Sequence, residues 1–213
     1  LTELRTEAPT LSRHARHLLL QVTASMQWQF LNGDVKTAFL QGDRDEGQRE
    51  VYVEPAPDVA QILGIRPDQL MKLEGAVYGL IVAPRRWHFR VQKDMIATGW
   101  RQHQLDPCLY MRYSSSGQLI GICGVYVDDF IMAFSPCPQG QKACKTLKDM
   151  YTWGSWDIGN FKLCGVQYSQ KSDYSIHLSQ KEYISNLKLA PHRRHSTHKP
   201  ADLDAAEVKV LRG

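Results

Sequence analysis

The spacing of apolar residues changes several times along this chain, and each change marks an element. Leu11, Ala15, Leu18, Leu19 and Val22 recur at helical spacing, which predicts a helix within residues 11–29. A short apolar strand, Trp28 to Leu31, runs into Asn32-Gly33-Asp34. Residues 43–50 are polar and read as a loop, Val51-Tyr52-Val53 as a strand stopping at Pro55, and 56–70 as a Pro-bounded excursion with a helical turn or two. Gly75 to Leu80 leads to Ala83-Pro84, where proline suits a first helical position. The helix that follows carries Trp87, Val91 and Met95 on one face and ends at Gly99.

The second half is richer in strands. Cys108 to Tyr113 reads as a strand, Ser114-Ser115-Ser116-Gly117 as a turn, and Leu119 to Val127 as another strand. Asp128-Asp129 interrupts the apolar run, which resumes from Phe130 to Phe134. A helix near 140–152 turns Ala143, Leu147 and Met150 inward, and a hairpin over 161–178 bends at Lys171-Ser172-Asp173. The Trp153–Trp156 cluster supports no assignment. Ser179-Gln180-Lys181-Glu182 has capping-box spacing and opens a helix that ends before Pro191. The order helix, strand, helix, paired strands, helix, hairpin, helix predicts an α+β fold with a largely antiparallel sheet flanked by helices.

Composition narrows this only a little. With 213 residues, the chain can bury a core as one domain or two closely packed lobes. A net charge of +4 suits a polyanionic partner without requiring one. Cys108, Cys123, Cys137, Cys144 and Cys164 form no CxxC pair and are odd in number, which fits a reduced intracellular compartment better than a disulfide framework. No apolar run approaches the roughly twenty residues of a membrane helix, so no membrane partner is expected. Leu1-Thr2-Glu3 and Leu211-Arg212-Gly213 read as cuts through a longer polypeptide.

The chemistry lies in the interrupted strand. Burying two unpaired carboxylates costs several kcal/mol each, so Asp128-Asp129 fits a tight turn that exposes both side chains while the flanks stay buried. Such a turn is either a solvated surface hairpin or a divalent-metal site, since hard oxygen ligands suit Mg²⁺ or Mn²⁺. Neighbouring strand residues face opposite ways, so the two are not equivalent ligands; Asp128 is assigned as the main bridging ligand and Asp129 as the secondary one. A two-metal site, with ions about 3.5–4 Å apart, needs a further carboxylate. Asp34, between two apolar stretches, is the candidate; by itself it reads more often as a helix cap or turn residue, and pairing with residues 126–129 is what makes it a ligand candidate.

Five ordered motifs then carry a resemblance. Asp34-Val35-Lys36-Thr37-Ala38-Phe39-Leu40-Gln41-Gly42 resembles the first catalytic motif of copia-type LTR-retrotransposon reverse transcriptases. Ala76-Val77-Tyr78-Gly79-Leu80 with Ala83-Pro84-Arg85-Arg86-Trp87, then Asp106-Pro107-Cys108-Leu109-Tyr110, Val125-Tyr126-Val127-Asp128-Asp129 and Leu178 to Ile184 resemble the later ones. The resemblance implies a right-hand polymerase palm with partial fingers over residues 1–190, its N-terminal finger strands absent, and a basic tail over 191–213 leading into a connection region. It implies an RNA-directed DNA polymerase that transfers nucleotides from dNTPs to a primer 3′-hydroxyl by a two-metal mechanism. Asp34, Asp128 and Asp129 would be catalytic and would hold two Mg²⁺ (or Mn²⁺) ions. Phe39 would lie under the incoming sugar and exclude a 2′-hydroxyl, although it also reads as a plain core aromatic.

Val35, Tyr126, Leu163 and Gly165 would meet nucleotide or primer, and Arg85 and Arg86 the nucleic-acid backbone. The partners implied are an RNA or DNA template-primer, an integrase upstream and an RNase H downstream in one polyprotein, working in cytoplasmic particles or the nucleus. The alternative is a catalytically silent nucleic-acid-binding remnant. Two departures bear on that choice: Ile81-Val82 replaces a Lys-Gln pair, and Leu163-Cys164-Gly165 replaces Phe-Leu-Gly. His192, His195 and His198 lie in a basic run that suits phosphate contact better than zinc, because no Cys or carboxylate partner stands at ligand spacing.

Overall fold

The structure is a computed structural model that describes residues 7–42 and 50–187. Helix α1 (Arg13–Ser25) starts at Ser12, whose Oγ accepts a hydrogen bond from the Ala15 amide. Strand β1 (Gln29–Val35) follows, then a 3₁₀ turn (Ala38–Gln41). Strands β2 (Tyr52–Val53) and β3 (Met71–Lys72) form a small ribbon around helix α2 (Pro57–Leu63). Helix α3 (Ala83–Ala97) has Pro84 in its first turn.

Next come β4 (Arg101–Gln102), β5 (Leu109–Tyr113), β6 (Leu119–Tyr126) and β7 (Asp129–Phe134). Helix α4 (Pro138–Met150) leads to β8 (Trp153–Ile158). Strands β9 (Asn160–Leu163), β10 (Val166–Gln170) and β11 (Ile176–Ser179) precede the short helix α5 (Lys181–Ser185).

The main sheet has the order β4-β5-β6-β7-β1-β8, and every pairing in it is antiparallel. Its inner strands are apolar at consecutive positions because both faces are covered. Cys123, Phe130, Met132 and Val35 pack with Trp87, Val91 and Met95 of α3 and Leu147 of α4. Ile122, Ile131, Ala133 and Phe30 pack with Leu19 of α1 and with Phe161 and Tyr168 of the three-stranded sheet β9-β10-β11. Gln170 joins the two sheets, its side chain accepting from the Phe30 amide and donating to the Trp28 carbonyl.

The α+β expectation is borne out, and several local expectations need correction. β1 does not stop at Leu31 but continues through Asp34, which is therefore a strand residue and not a turn or cap. Extended pairing on both sides, with β7 and with β8, overrides the turn preference of Asn32-Gly33-Asp34. The 161–178 hairpin is a three-stranded meander, because Cys164 and Gly165 both take positive φ and make an additional tight turn. Trp153–Trp156 belongs to an edge strand of the main sheet. α5 is only one turn long, and Glu182 pairs with Lys162 at 2.7 Å instead of closing a capping box. The loop at 43–49 and the tail from 188 onward, with His192, His195 and His198, lie outside the described residues.

Candidate active site

β6 and β7 are joined by Val127-Asp128, with Tyr126 paired to Asp129. Val127 has φ 60° and Asp128 does not share that sign, the pattern of a type II′ hairpin turn. A β-branched residue there costs on the order of 1–3 kcal/mol, so the surroundings must hold the turn in place. Two contacts do so. The Trp87 indole Nε1 donates to the Val127 carbonyl at 2.7 Å, and the Val35 amide donates to the Asp128 carbonyl at 2.9 Å.

β1 brings in the third carboxylate. Its register opposes Asp34 to Asp129 across β7 and to Ser155 across β8. Side-chain alternation then puts Asp34 and Asp129 on the same face of the sheet, the face that carries Phe30, Ile131 and the β9-β10-β11 sheet. The three acids are close enough to repel one another. Burial, then the Asp128 and Asp34 charges, raises Asp129 to about 6. Burial and then Asp128 also raise Asp34 above the usual carboxylate range.

Among the described residues, none of the three side chains has a hydrogen bond or a cationic partner. That donor set fits a divalent cation, whose charge would relieve the repulsion. No three His, Cys, Asp or Glu side chains among the described residues stand close enough to hold an ion unaided. The remaining coordination would fall to water and to substrate phosphates, as is usual for Mg²⁺.

The other expected residues are placed as follows. Phe39, in the 3₁₀ turn, lies half-buried with its ring centroid 4.7 Å from that of Tyr78. Tyr126 is 39% exposed beside the turn. Burial and then the Asp129 charge push the Cys164 thiol up, so the β9–β10 turn stands near that carboxylate. Leu163 and Val35 are buried in the core, so their side chains face away from solvent. Gly165, at φ 73°, packs against Tyr183. Arg85 is engaged locally: its Nη1 donates to the Glu7 carbonyl at 3.1 Å and its guanidinium lies over the Phe89 ring. Arg86 is half-buried in the same helical turn.

Three supporting residues escaped the sequence reading. Trp87 reads there as one residue of a helix's apolar face, and its indole also holds the strained turn. Gln41 clamps the 3₁₀ turn to the start of β8, its side chain donating to the Lys36 and Thr152 carbonyls and accepting from the Thr152 amide. Asp106, 6% exposed, accepts from the Cys108 and Ser12 amides and so pins the start of α1 beside β5. All three stand within quoted motifs, so the signal was present, but a hydrogen-bond partner far along the chain cannot be read from spacing.

Comparison with known proteins agrees with the motifs. The family model described as reverse transcriptase (RNA-dependent DNA polymerase) matches residues 3–190. The chain is 32% identical over 125 residues to the retrovirus-related Pol polyprotein from transposon TNT 1-94 of Nicotiana tabacum, covering 59% of this chain and 9% of that protein. It is 32% identical over 154 residues to the putative transposon Ty5-1 protein of Saccharomyces cerevisiae, covering 71% of this chain and 47% of that protein. To the retrovirus-related Pol polyprotein from transposon RE2 of Arabidopsis thaliana it is 26% identical over 182 residues, covering 85% and 12%. The chain thus spans less than half the length of each of these relatives. They bear out the copia-type resemblance.

Proposed function

Because this chain belongs to the reverse transcriptase (RNA-dependent DNA polymerase) family, we propose that it is the catalytic core of an RNA-directed DNA polymerase within a copia-like Pol polyprotein. The six-stranded sheet serves as the palm, and the segment from the 3₁₀ turn through β3 serves as part of the fingers. The observation that carries this reading is the register that sets Asp34 opposite Asp129, one residue from Asp128.

The reaction joins the primer 3′-oxygen to the α-phosphorus of a dNTP as the bond to the bridging oxygen breaks and pyrophosphate leaves. Two Mg²⁺ or Mn²⁺ ions, when bound, raise the acidity of the 3′-hydroxyl and neutralise the leaving group. Asp34 and Asp129 on paired strands, with Asp128 in the adjoining turn, would hold those ions, and the pairing fixes the spacing of the two strand carboxylates so that little reorganisation accompanies the chemistry. Phe39, braced by Tyr78, forms the wall that discriminates against a 2′-hydroxyl. Tyr126 and the Leu163-Cys164-Gly165 turn flank the primer end. Arg85 and Arg86 lie along the template-primer backbone. Integrase and RNase H segments of the same polyprotein flank this core, and the enzyme works in cytoplasmic particles or the nucleus.

Primer extension on poly(rA) primed with oligo(dT) tests the reading. With Mg²⁺ or Mn²⁺ present, Asp128→Asn lowers the rate on the order of 1,000-fold. Equal rates for the two proteins would overturn the role of Asp128. One observation favours a second reading, a silent nucleic-acid-binding remnant: Ile81 is 75% exposed and apolar where the family carries a polar residue. Template-primer binding without extension, even by a polypeptide with its flanking segments restored, would establish that reading instead.

A further inference from the structure

β8 holds the site open in a way that neither its composition nor the carboxylate motifs announce. Its pairing with β1 shifts between Asp34, which opposes Ser155, and Val35, which opposes Trp153. Gly154 is therefore the extra residue of a β-bulge beside Asp34. A Cβ built on Gly154 would lie 2.7 Å from Oδ2 of Asp34 and 3.6 Å from its carbonyl oxygen. The backbone of Gly154 is not in the left-handed region, so its conformation does not demand glycine. What the position demands is the absence of a side chain.

The strand cannot step back to make room. On its other face Trp153 packs edge-on against Phe130 and Trp156, with centroids 5.3 and 4.8 Å away. The Trp153 indole donates to the Lys148 carbonyl at 2.8 Å, and a Cβ on Gly33 would already meet the Trp153 ring at 2.6 Å. At the near end, the Lys36 amide donates to the Thr152 carbonyl, and Gln41 bonds Thr152 on both sides. Any group added at Gly154 must therefore displace the Asp34 carboxylate, not the strand.

We propose that Gly154 is a positioning residue for the polymerase centre, a bulge whose missing side chain leaves the Asp34 carboxylate its place opposite Asp129, from which it would contribute to binding a divalent cation. This rests on the polymerase reading above and adds β8 to the site. Gly154 touches neither substrate nor ion; it acts through Asp34.

The test is Gly154→Ala, with Mn²⁺ affinity followed by calorimetry, melting temperature, template-primer affinity in EDTA, and primer extension. Mn²⁺ affinity falls about tenfold, as for other loss of support behind a metal ligand. Turnover falls about 100-fold, as for a misplacement of about 1 Å. Template-primer affinity in EDTA is unchanged. On an Asp34→Ala background, Gly154→Ala produces no additional loss of Mn²⁺ affinity.

Unchanged Mn²⁺ affinity in Gly154→Ala overturns the proposal, and so does an equal loss with and without Asp34, which marks a general effect on the strand. Should Gly154→Ala fail to fold, Asp34→Ala/Gly154→Ala decides: recovery of folding when the carboxylate is removed supports the steric account, and failure to recover overturns it. The polymerase reading fails separately, if Asp34→Ala alone keeps full primer extension and Mn²⁺ affinity.

Discussion

β1 is flanked by two strands that serve it differently. On the β7 side the neighbours bring charge: Asp129 stands opposite Asp34, and Asp128 occupies a turn whose apex residue, Val127, is held at φ 60°. On the β8 side they bring volume and its absence, with two tryptophans wedged beneath Gly33 and a glycine bulge beside the Asp34 carboxylate. The charged side is intrinsically unstable, since three acids repel one another on a strained turn. The aromatic side supplies none of the chemistry, yet it limits where one of those acids can sit. Grouping like charges in this way requires rigid apolar support at their backs.

The comparison can be broken most severely at the support of the strained turn. Trp87 is 1% exposed and reaches Val127 from α3. Trp87→Ala costs about 4 kcal/mol in chemical denaturation. Trp87→Phe keeps a ring and loses only the indole hydrogen bond; it costs about 1 kcal/mol for the bond, apart from any repacking of the smaller ring. If Phe proves as damaging as Ala, the bond to Val127 is more than a packing accessory and the turn depends on it.

The β8 side is tested next at Gly33. A Cβ there meets the rigid Trp153 ring at 2.6 Å, so Gly33→Ala separates β1 from β8 and destabilises by about 2 kcal/mol, read from the denaturation midpoint. Trp153→Leu in the same chain leaves room for the methyl group and recovers part of that loss. An absence of recovery would show that the clash is relieved elsewhere.

The smallest effect comes from the charges themselves. Asp129 titrates near 6 in the folded chain, raised by burial and then by Asp128 and Asp34, against 3.8 for the ordinary group. Between those values the folded state binds a proton that the unfolded state has released. Stability of the metal-free protein therefore falls as pH rises through this window, and the full penalty is present above about 6. Asp129→Asn removes that penalty. In EDTA at pH 7 it raises the melting temperature by about 2–4 °C, about 1 kcal/mol once solvent screening is allowed for. The gain disappears near pH 4. A gain that persists at pH 4 would assign it to something other than charge.

Much of this molecule is legible from its chain. The period of the apolar residues locates α1, α3 and α4, because a helix with one buried face repeats them every three or four positions, and the short apolar runs bounded by turn residues locate β5, β6 and β7. The interrupted strand at Asp128-Asp129 is equally readable, since two carboxylates inside an apolar run require a structural reason. β8 is not readable. Trp153 to Ile158 mixes aromatic, small and charged residues, and only its pairing with β1 makes it a strand. Asp34 shows the division most clearly: the sequence presents it as a turn or cap, and two flanking strands convert it into a strand residue beside Asp129.

The sequence by itself determined the family, the order of the elements and the identity of the acids, because these are carried by residue type and local spacing. Tertiary structure alone decided which acids share a face, that the Trp87 indole holds the apex of the turn, and that Gly154 leaves Asp34 its room. Those facts depend on strand register and on contacts between residues far apart in the chain, and a one-residue slip in register would send every one of these side chains to the opposite face.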